Sequence, residues 1–356
     1  MKHISSLDGL RGAAVLLVVF FHYFPRNHAG ALSQLASIGW VGVDIFFVLS
    51  GFLITSILYE QRGAKHYFRN FYMRRVLRLS PLYYFLFVIV LLSTPILHIQ
   101  WRPLHWAMLF YGANLVLPID SSLGLIGPFN LFHIWSLAVE EQFYLIWPWL
   151  VGLRVSEQTL RRVCIAGILL APLLRFALLH MHVEPWWIYQ SLPTRMDSLL
   201  MGALLALIPL PSLRQARTAG GIAILVFGIS VWLGHSAFFL SRSIQGIGYS
   251  AFALLSASTL VMGLHPATLV SRICSWKVLQ FYGRYSYGLY LWHYFLSQPY
   301  GLLKGWVGSK IPWVGLAGIV SFILILLVST TIAVISYHAL ELPFLRLKSR
   351  FSSAQH

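Results

Sequence analysis

The chain reads as long apolar runs separated by short polar segments. Stretches of about 20 apolar residues, the length a helix needs to cross the hydrocarbon core, fall near 10–25, 38–58, 81–98, 129–150, 163–181, 196–211, 219–238, 246–264, 283–303 and 313–337. The pattern predicts an all-α polytopic integral membrane bundle of about ten transmembrane helices. One further apolar stretch, Leu104 to Pro118, is read as a re-entrant or interfacial helix, because a crossing there would carry Arg154, Arg161 and Arg162 to the opposite side. Irregular backbone at such depth is tolerated where protein or a cavity covers it.

Composition agrees with this pattern. At 58% hydrophobic and 10% charged residues, with mean hydropathy +0.72, the 356 residues do not describe a soluble domain around one core. Segments 1–11, 60–80, 151–162, 209–218, 265–284 and 338–356, all on one face of the predicted membrane, hold 19 of the 26 Lys and Arg. The positive-inside bias makes that face cytoplasmic and puts both termini inside. The net charge of +16 is then topology and needs no nucleic-acid partner. The first helix carries Asp8 and Arg11 at its start and lacks a small-residue cleavage site, so it is expected to remain as a span. Without a repeat or low-complexity tract, residues 1–345 read as one membrane domain and 346–356 as a short basic cytoplasmic tail. Cys164 and Cys274 fit no metal or disulfide spacing.

The chemistry is carried by ionisable groups that the apolar pattern should exclude. Of ten acidic residues, Asp8, Asp44, Glu140, Glu141 and Asp197 fall within or at the ends of predicted spans, together with Arg11, His22, His133, Arg175, Arg195 and His293. Such groups are costly in lipid, so each is a functional candidate, with structural ion pairs and snorkelling ends as the alternative. Arg11 and His22 are eleven residues apart, almost three turns, which sets them on one helix face about 16 Å apart. A desolvated neutral histidine at the position of His22 suits a general base.

Arg74, Arg75 and Arg78 form the densest charge cluster. Arg75 and Arg78 are helical neighbours whose guanidinium forks suit phosphate, and anionic lipid headgroups would suit them equally. Helical spacing places His133, Ser136 and Glu140 on one face with Glu141 nearby, a polar edge that could hold a carbohydrate or join an interhelical network. Arg195 and Asp197, two residues apart, point to different faces and are expected to pair with other spans. The tyrosines of Tyr285 to His293 are explained by interface anchoring. No helical histidine pair or carboxylate cluster has metal-ligand spacing, so no metal is expected.

Several of these stretches together resemble the acyltransferase-3 family of bacterial membrane acyltransferases, which includes O-antigen and other surface-polysaccharide O-acetylases. The resembling blocks are Leu7-Asp8-Gly9-Leu10-Arg11-Gly12 with His22, Gly39 to Thr55, the arginines through Arg78, His133 to Tyr144, Tyr285 to His293, and Glu341-Leu342-Pro343-Phe344. They occur in family order over nearly the whole chain. The chain is similar to the form without a periplasmic hydrolase-like domain.

The resemblance implies a multi-pass protein of the bacterial inner membrane that moves an acyl group, usually acetyl, from cytoplasmic acyl-CoA to a hydroxyl of a carbohydrate or glycolipid, as in lipopolysaccharide modification. The family's basic residue, ten-residue gap and histidine fall on Arg11 and His22, and its Arg-x-x-Arg motif on Arg75 and Arg78. The resulting expectation is that Arg74, Arg75, Arg78 and Arg11 hold acetyl-CoA and that His22 is the general base, assisted by Arg11 and by Glu140. Asp44, His133, Ser136, Glu141, Arg195 and Asp197 would line the acceptor side. Transfer could be direct or pass through an acyl-enzyme. A glycan transporter or flippase, and acylation of a small intracellular acceptor, remain the alternatives.

Overall fold

The computed structural model describes residues 4–26, 31–153 and 155–351. Arg154 and the final five positions of the basic tail lie outside them. The described chain is almost wholly helical; its strands, among those residues, are one two-residue hairpin, Leu125–Ile126 against Phe129–Asn130.

Each of the ten apolar windows overlaps helix. In chain order the long helices are α1 (Ser5–Tyr23), α2 (Gly42–Glu60), α3 (Tyr67–Leu97), α4 (Trp135–Gly152), α5 (Glu157–His180), α6 (Leu192–Leu207), α7 (Leu213–Gly234), α8 (Tyr249–Leu264), α9 (Ser286–Phe295), α10 (Ser297–Lys310) and α11 (Val314–Ser336). Among the described residues seven helices are long and apolar enough to cross a membrane. The other three windows differ for visible reasons. α4 carries Glu140 and Glu141, α6 has only 16 residues, and the 283–303 window is divided at Leu296 into α9 and α10. The Leu104–Pro118 stretch holds two short helices, His105–Leu109 and Ala113–Val116. At 1.5 Å per residue each is far too short to span the bilayer.

The chain forms two compact units. The first comprises residues 1–21, 35–60 and 139–284. Its helices approach at glycines: a β-carbon at Gly51 of α2 would lie 1.8 Å from the Leu199 carbonyl oxygen of α6, and one at Gly202 1.9 Å from the Val48 carbonyl oxygen. Small residues permit this close approach of backbones in a membrane bundle, where packing rather than water exclusion drives association. The start of α1 is seated the same way, with Gly9 against the Cys274 carbonyl and Gly12 against that of Leu279. Leu7, Leu10, Val48, Leu49, Phe52, Ala257 and Leu260 fill the space between.

The second unit comprises residues 22–34, 61–138 and 285–356. α9 and α10 pack on α11, and α3, 31 residues long, anchors the 98–134 segment. Tyr83 and Tyr84 of α3 donate to the carbonyls of Met108 and Leu109 at 2.5 and 3.1 Å. Arg102 and Ser122 bind the Asp120 carboxylate and hold its pKa down at about 2. Phe129 of the hairpin stacks on Phe295 of α9 at 4.7 Å, which delivers the following turn, and His133 with it, to α9.

Candidate functional site

Three histidines from three separate parts of the chain meet in the second unit. His22 stands near the end of α1, half-buried; His293 lies on α9 and His133 in the 3-10 turn Phe132–Ile134, both buried. His293 Nε2 is 3.3 Å from His22 Nδ1, and the rings of His133 and His293 are 5.5 Å apart. Tyr294 lies 4.5 Å from the His22 ring and 5.4 Å from that of His133.

Hydrogen bonds fix this centre from behind. Tyr23 donates to the His293 carbonyl at 2.6 Å. Tyr290 donates to the His133 carbonyl at 3.0 Å, and its hydroxyl is 2.6 Å from that of Ser136. The ring nitrogens of His133, by contrast, make no hydrogen bond of normal geometry, although the residue is only 3% exposed and the Leu291 backbone acts on the ring. A neutral imidazole offers one donor and one acceptor, so a desolvated pair of polar atoms stands beside the His22–His293 contact.

The structure refines one expectation about these segments and changes another. His133 stands in a 3-10 turn, not in the helix itself: Asn130 Oδ1 accepts from the Phe132 backbone N–H at 2.9 Å, and α4 begins only at Trp135, while Tyr290 meets both the His133 carbonyl and the Ser136 hydroxyl. Interface anchoring also does not account for the tyrosines of α9. Tyr290 is 6% exposed and faces the His133 turn, and Tyr287 donates to the Leu79 carbonyl at 2.5 Å. Tyr290 and Tyr294 belong to the site although sequence reasoning left them out of it, and His293, marked there only as an ionisable group within a span, joins them. Their spacing of three and four residues puts them on one helix face, which is the signal that could have found them.

Arg74, Arg75 and Arg78 lie half-buried on the polar first turns of α3. Arg75 sits over the Phe71 ring at 6.0 Å, and Arg78 acts electrostatically on buried Glu341. The cluster is therefore a helical extension of the span with its side chains partly held by protein. Arg11, on α1 in the first unit, pairs with Asp8 at 3.3 Å, both about one-quarter exposed. Glu140 accepts from Ser50 at 2.8 Å and Tyr144 at 3.1 Å; Glu141, half-buried, follows it on α4.

Asp44, Arg195 and Asp197 form a separate group in the first unit. Arg195 donates to Asp44 at 2.7 Å, Ser198 donates to the same oxygen at 2.9 Å, and Arg175 donates to Asp197 at 3.0 Å. Both ion pairs are essentially inaccessible to solvent. As the two-residue spacing implies, Arg195 and Asp197 each reach a different partner. Two cations and two anions neutralise one another there, and the geometry on display is mutual pairing. Among the described residues no group of three or more His, Cys, Asp or Glu is arranged to hold a metal ion.

The fold and these buried polar centres define a polytopic α-helical membrane protein. The family model for the Acyl_transf_3 acyltransferase domain matches residues 4–338. The chain belongs to this acyltransferase-3 family. It is 32% identical over 369 residues to the putative peptidoglycan O-acetyltransferase YrhL of Bacillus subtilis, covering 96% of this chain and 55% of that protein. To the peptidoglycan O-acetyltransferase OatA of Listeria monocytogenes it is 33% identical, over 82% of this chain and 49% of the relative. To the O-acetyltransferase OatA of Staphylococcus aureus it is 31% identical, over 96% and 57%. The chain thus spans about half the length of the curated relatives it matches. No solved structure matches it.

Proposed function

We propose that this domain transfers an acetyl group from acetyl-CoA to a hydroxyl of a cell-wall glycan, with His22 as general base. The relatives named for peptidoglycan favour that acceptor over the lipopolysaccharide-type glycan expected from sequence. The observation that carries the reading is half-buried His22 beside buried His133, whose ring nitrogens lack a hydrogen bond of normal geometry.

In this reading His22 takes the proton of the acceptor hydroxyl as its oxygen bonds to the thioester carbonyl carbon. His133, through its ring N–H, donates to the oxyanion that develops. When the carbon–sulfur bond breaks, His22 returns the proton to the CoA sulfur, giving the O-acetyl ester and the free thiol. Arg75 and Arg78, with Arg74, hold the donor's phosphates, and the bidentate geometry of guanidinium favours such a role. A base positioned in this way contributes about 10²–10⁴-fold.

The test is CoA release by the purified full chain in lipid nanodiscs with acetyl-CoA and soluble peptidoglycan glycan fragments. Wild type should turn over, and His22→Ala should bind acetyl-CoA yet remain inactive. Full turnover by His22→Ala would remove His22 from the chemistry. Silence of the wild type with these fragments, alongside turnover with another glycan, would reject the acceptor.

A further inference from the structure

The contacts of His293 dictate where its proton sits. Its Nδ1 lies 2.6 Å from the Tyr290 carbonyl oxygen and 3.1 Å from that of Leu289, the residues three and four positions earlier on α9. Carbonyl oxygens only accept hydrogen bonds, so Nδ1 must carry the hydrogen, and in the neutral ring Nε2 is then the lone-pair nitrogen. That nitrogen faces Nδ1 of His22 at 3.3 Å. Two lone pairs cannot make this contact, so His22 must supply the hydrogen from Nδ1. The lone pair of His22 is thereby placed on Nε2, at the far side of its ring.

We propose that His293 is a positioning residue which, through this relay from the α9 carbonyls, holds His22 in the tautomer with Nδ1 protonated and Nε2 basic. The inference rests on the reading of His22 as the base and adds how that base is prepared. Serine hydrolases use a carboxylate to orient the catalytic imidazole. Here a second imidazole, itself oriented by backbone carbonyls, does so without placing another formal charge in the bundle. As His22 takes the acceptor proton on Nε2 and becomes imidazolium, its Nδ1–H continues to donate to His293, and no second proton needs to move. Tyr23, bonded to the His293 carbonyl, and Phe129, stacked against Phe295, keep this part of α9 in place.

The relay can be read in the full chain in nanodiscs carrying 15N-labelled histidine, with the His22 signals assigned by their loss in His22→Ala. Wild type should show His22 protonated at Nδ1 and not at Nε2. His293→Phe, which keeps an aromatic ring of somewhat larger size and removes the acceptor, should release that preference. It should also lower kcat about 10–100-fold, the usual effect of losing a partner that orients a histidine, with KM for acetyl-CoA within about twofold. His293→Gln returns an oxygen acceptor near the Nε2 position and should recover at least about tenfold of the loss together with the tautomer.

A wild-type His22 protonated at Nε2 overturns the inference, and this readout needs no folded variant. An unchanged His22 tautomer in His293→Phe overturns it as well. If His22→Ala is inactive while His293→Phe turns over normally, the relay fails and the base assignment stands. If His22→Ala turns over normally, the base assignment fails, and the nitrogen signals still decide the tautomer.

Discussion

Arg195 donates to Asp44 at 2.7 Å across 151 positions of the chain, and the two side chains are 1% and 0% exposed. Their pairing joins α6 to α2 along the seam where Gly51 and Gly202 bring the backbones together. Removing one member of a buried pair leaves the other charge uncompensated, which costs about 3–5 kcal/mol. Asp44→Ala should therefore lower the thermal midpoint in nanodiscs sharply, and Asp44→Ala with Arg195→Leu should recover part of the loss. An Asp44→Ala protein as stable as wild type would show that the pair does not hold this unit together.

The glycine seam gives a steric prediction with a built-in control. No β-carbon fits at 1.8 Å from a carbonyl oxygen, so Gly51→Leu should force α2 and α6 apart and abolish the monodisperse folded fraction in size-exclusion chromatography. Nothing stands within 4 Å of the β-carbon position at Gly221 on α7. Gly221→Ala should accordingly be neutral or stabilise by a few tenths of a kcal/mol up to about 1, the helix-propensity difference. Equal tolerance at both positions would contradict the packing.

These two cases show how much the sequence could disclose. Apolar run length located helix in all ten windows, and seven of the helices are long and apolar enough to cross a membrane, because a run of apolar residues is a one-dimensional property. The polar ends of helices escape that signal, so α3 begins at Tyr67 and carries Arg69, Arg74, Arg75 and Arg78 of the expected 60–80 segment within it. Residue type alone marked His22, His133, Asp44 and Arg195 as out of place in hydrocarbon. It could not say that His133 meets His293, 160 residues later, because that depends on the Asn130 turn and on the Phe129–Phe295 stack. Conversely, the aromatic richness of α9 hid Tyr290 and Tyr294 among residues that an interface belt explains equally well.

The Asp120 carboxylate offers a pH-dependent test outside the spans. Hydrogen bonds from Ser122 and Arg102 hold its pKa at about 2, below the ordinary value near 3.9. A depressed folded-state pKa means that its contribution is fully present above about pH 4 and is lost as pH falls toward 2. Protection of the Ser122 amide from hydrogen exchange should thus be constant from neutral pH down to about 4 and decline below it. Asp120→Asn should weaken that protection at neutral pH and flatten its acid dependence. A wild-type profile that declines already between pH 6 and 5 would point to another group.

His133 separates an oxyanion donor from a packing residue. His133→Phe keeps an aromatic ring of somewhat larger size and replaces the two ring nitrogens by carbon, so it should leave the thermal midpoint near that of wild type. If the ring N–H meets charge that develops only in the transition state, kcat should fall about 10²–10³-fold with KM nearly constant. Loss of stability together with a proportionate loss of active fraction would instead assign His133 to packing.

The arginine cluster distinguishes charge from geometry. Lysine retains the positive charge but loses the planar fork, so Arg75→Lys with Arg78→Lys keeps the attraction for phosphate and removes the bidentate hydrogen bonds. Charge-assisted hydrogen bonds contribute about 1.5–3 kcal/mol each, so loss of one such bond from either arginine should raise KM for acetyl-CoA about tenfold or more. The corresponding double alanine variant should raise it further and reduce the dependence of KM on salt, because two screened charges are gone. In both, kcat at saturating donor should stay within a few-fold of wild type, since side chains holding the donor as proposed would act before and during the transfer alike. A lysine pair indistinguishable from wild type would make the site a general electrostatic one, and equal KM in all three proteins would move donor binding away from α3.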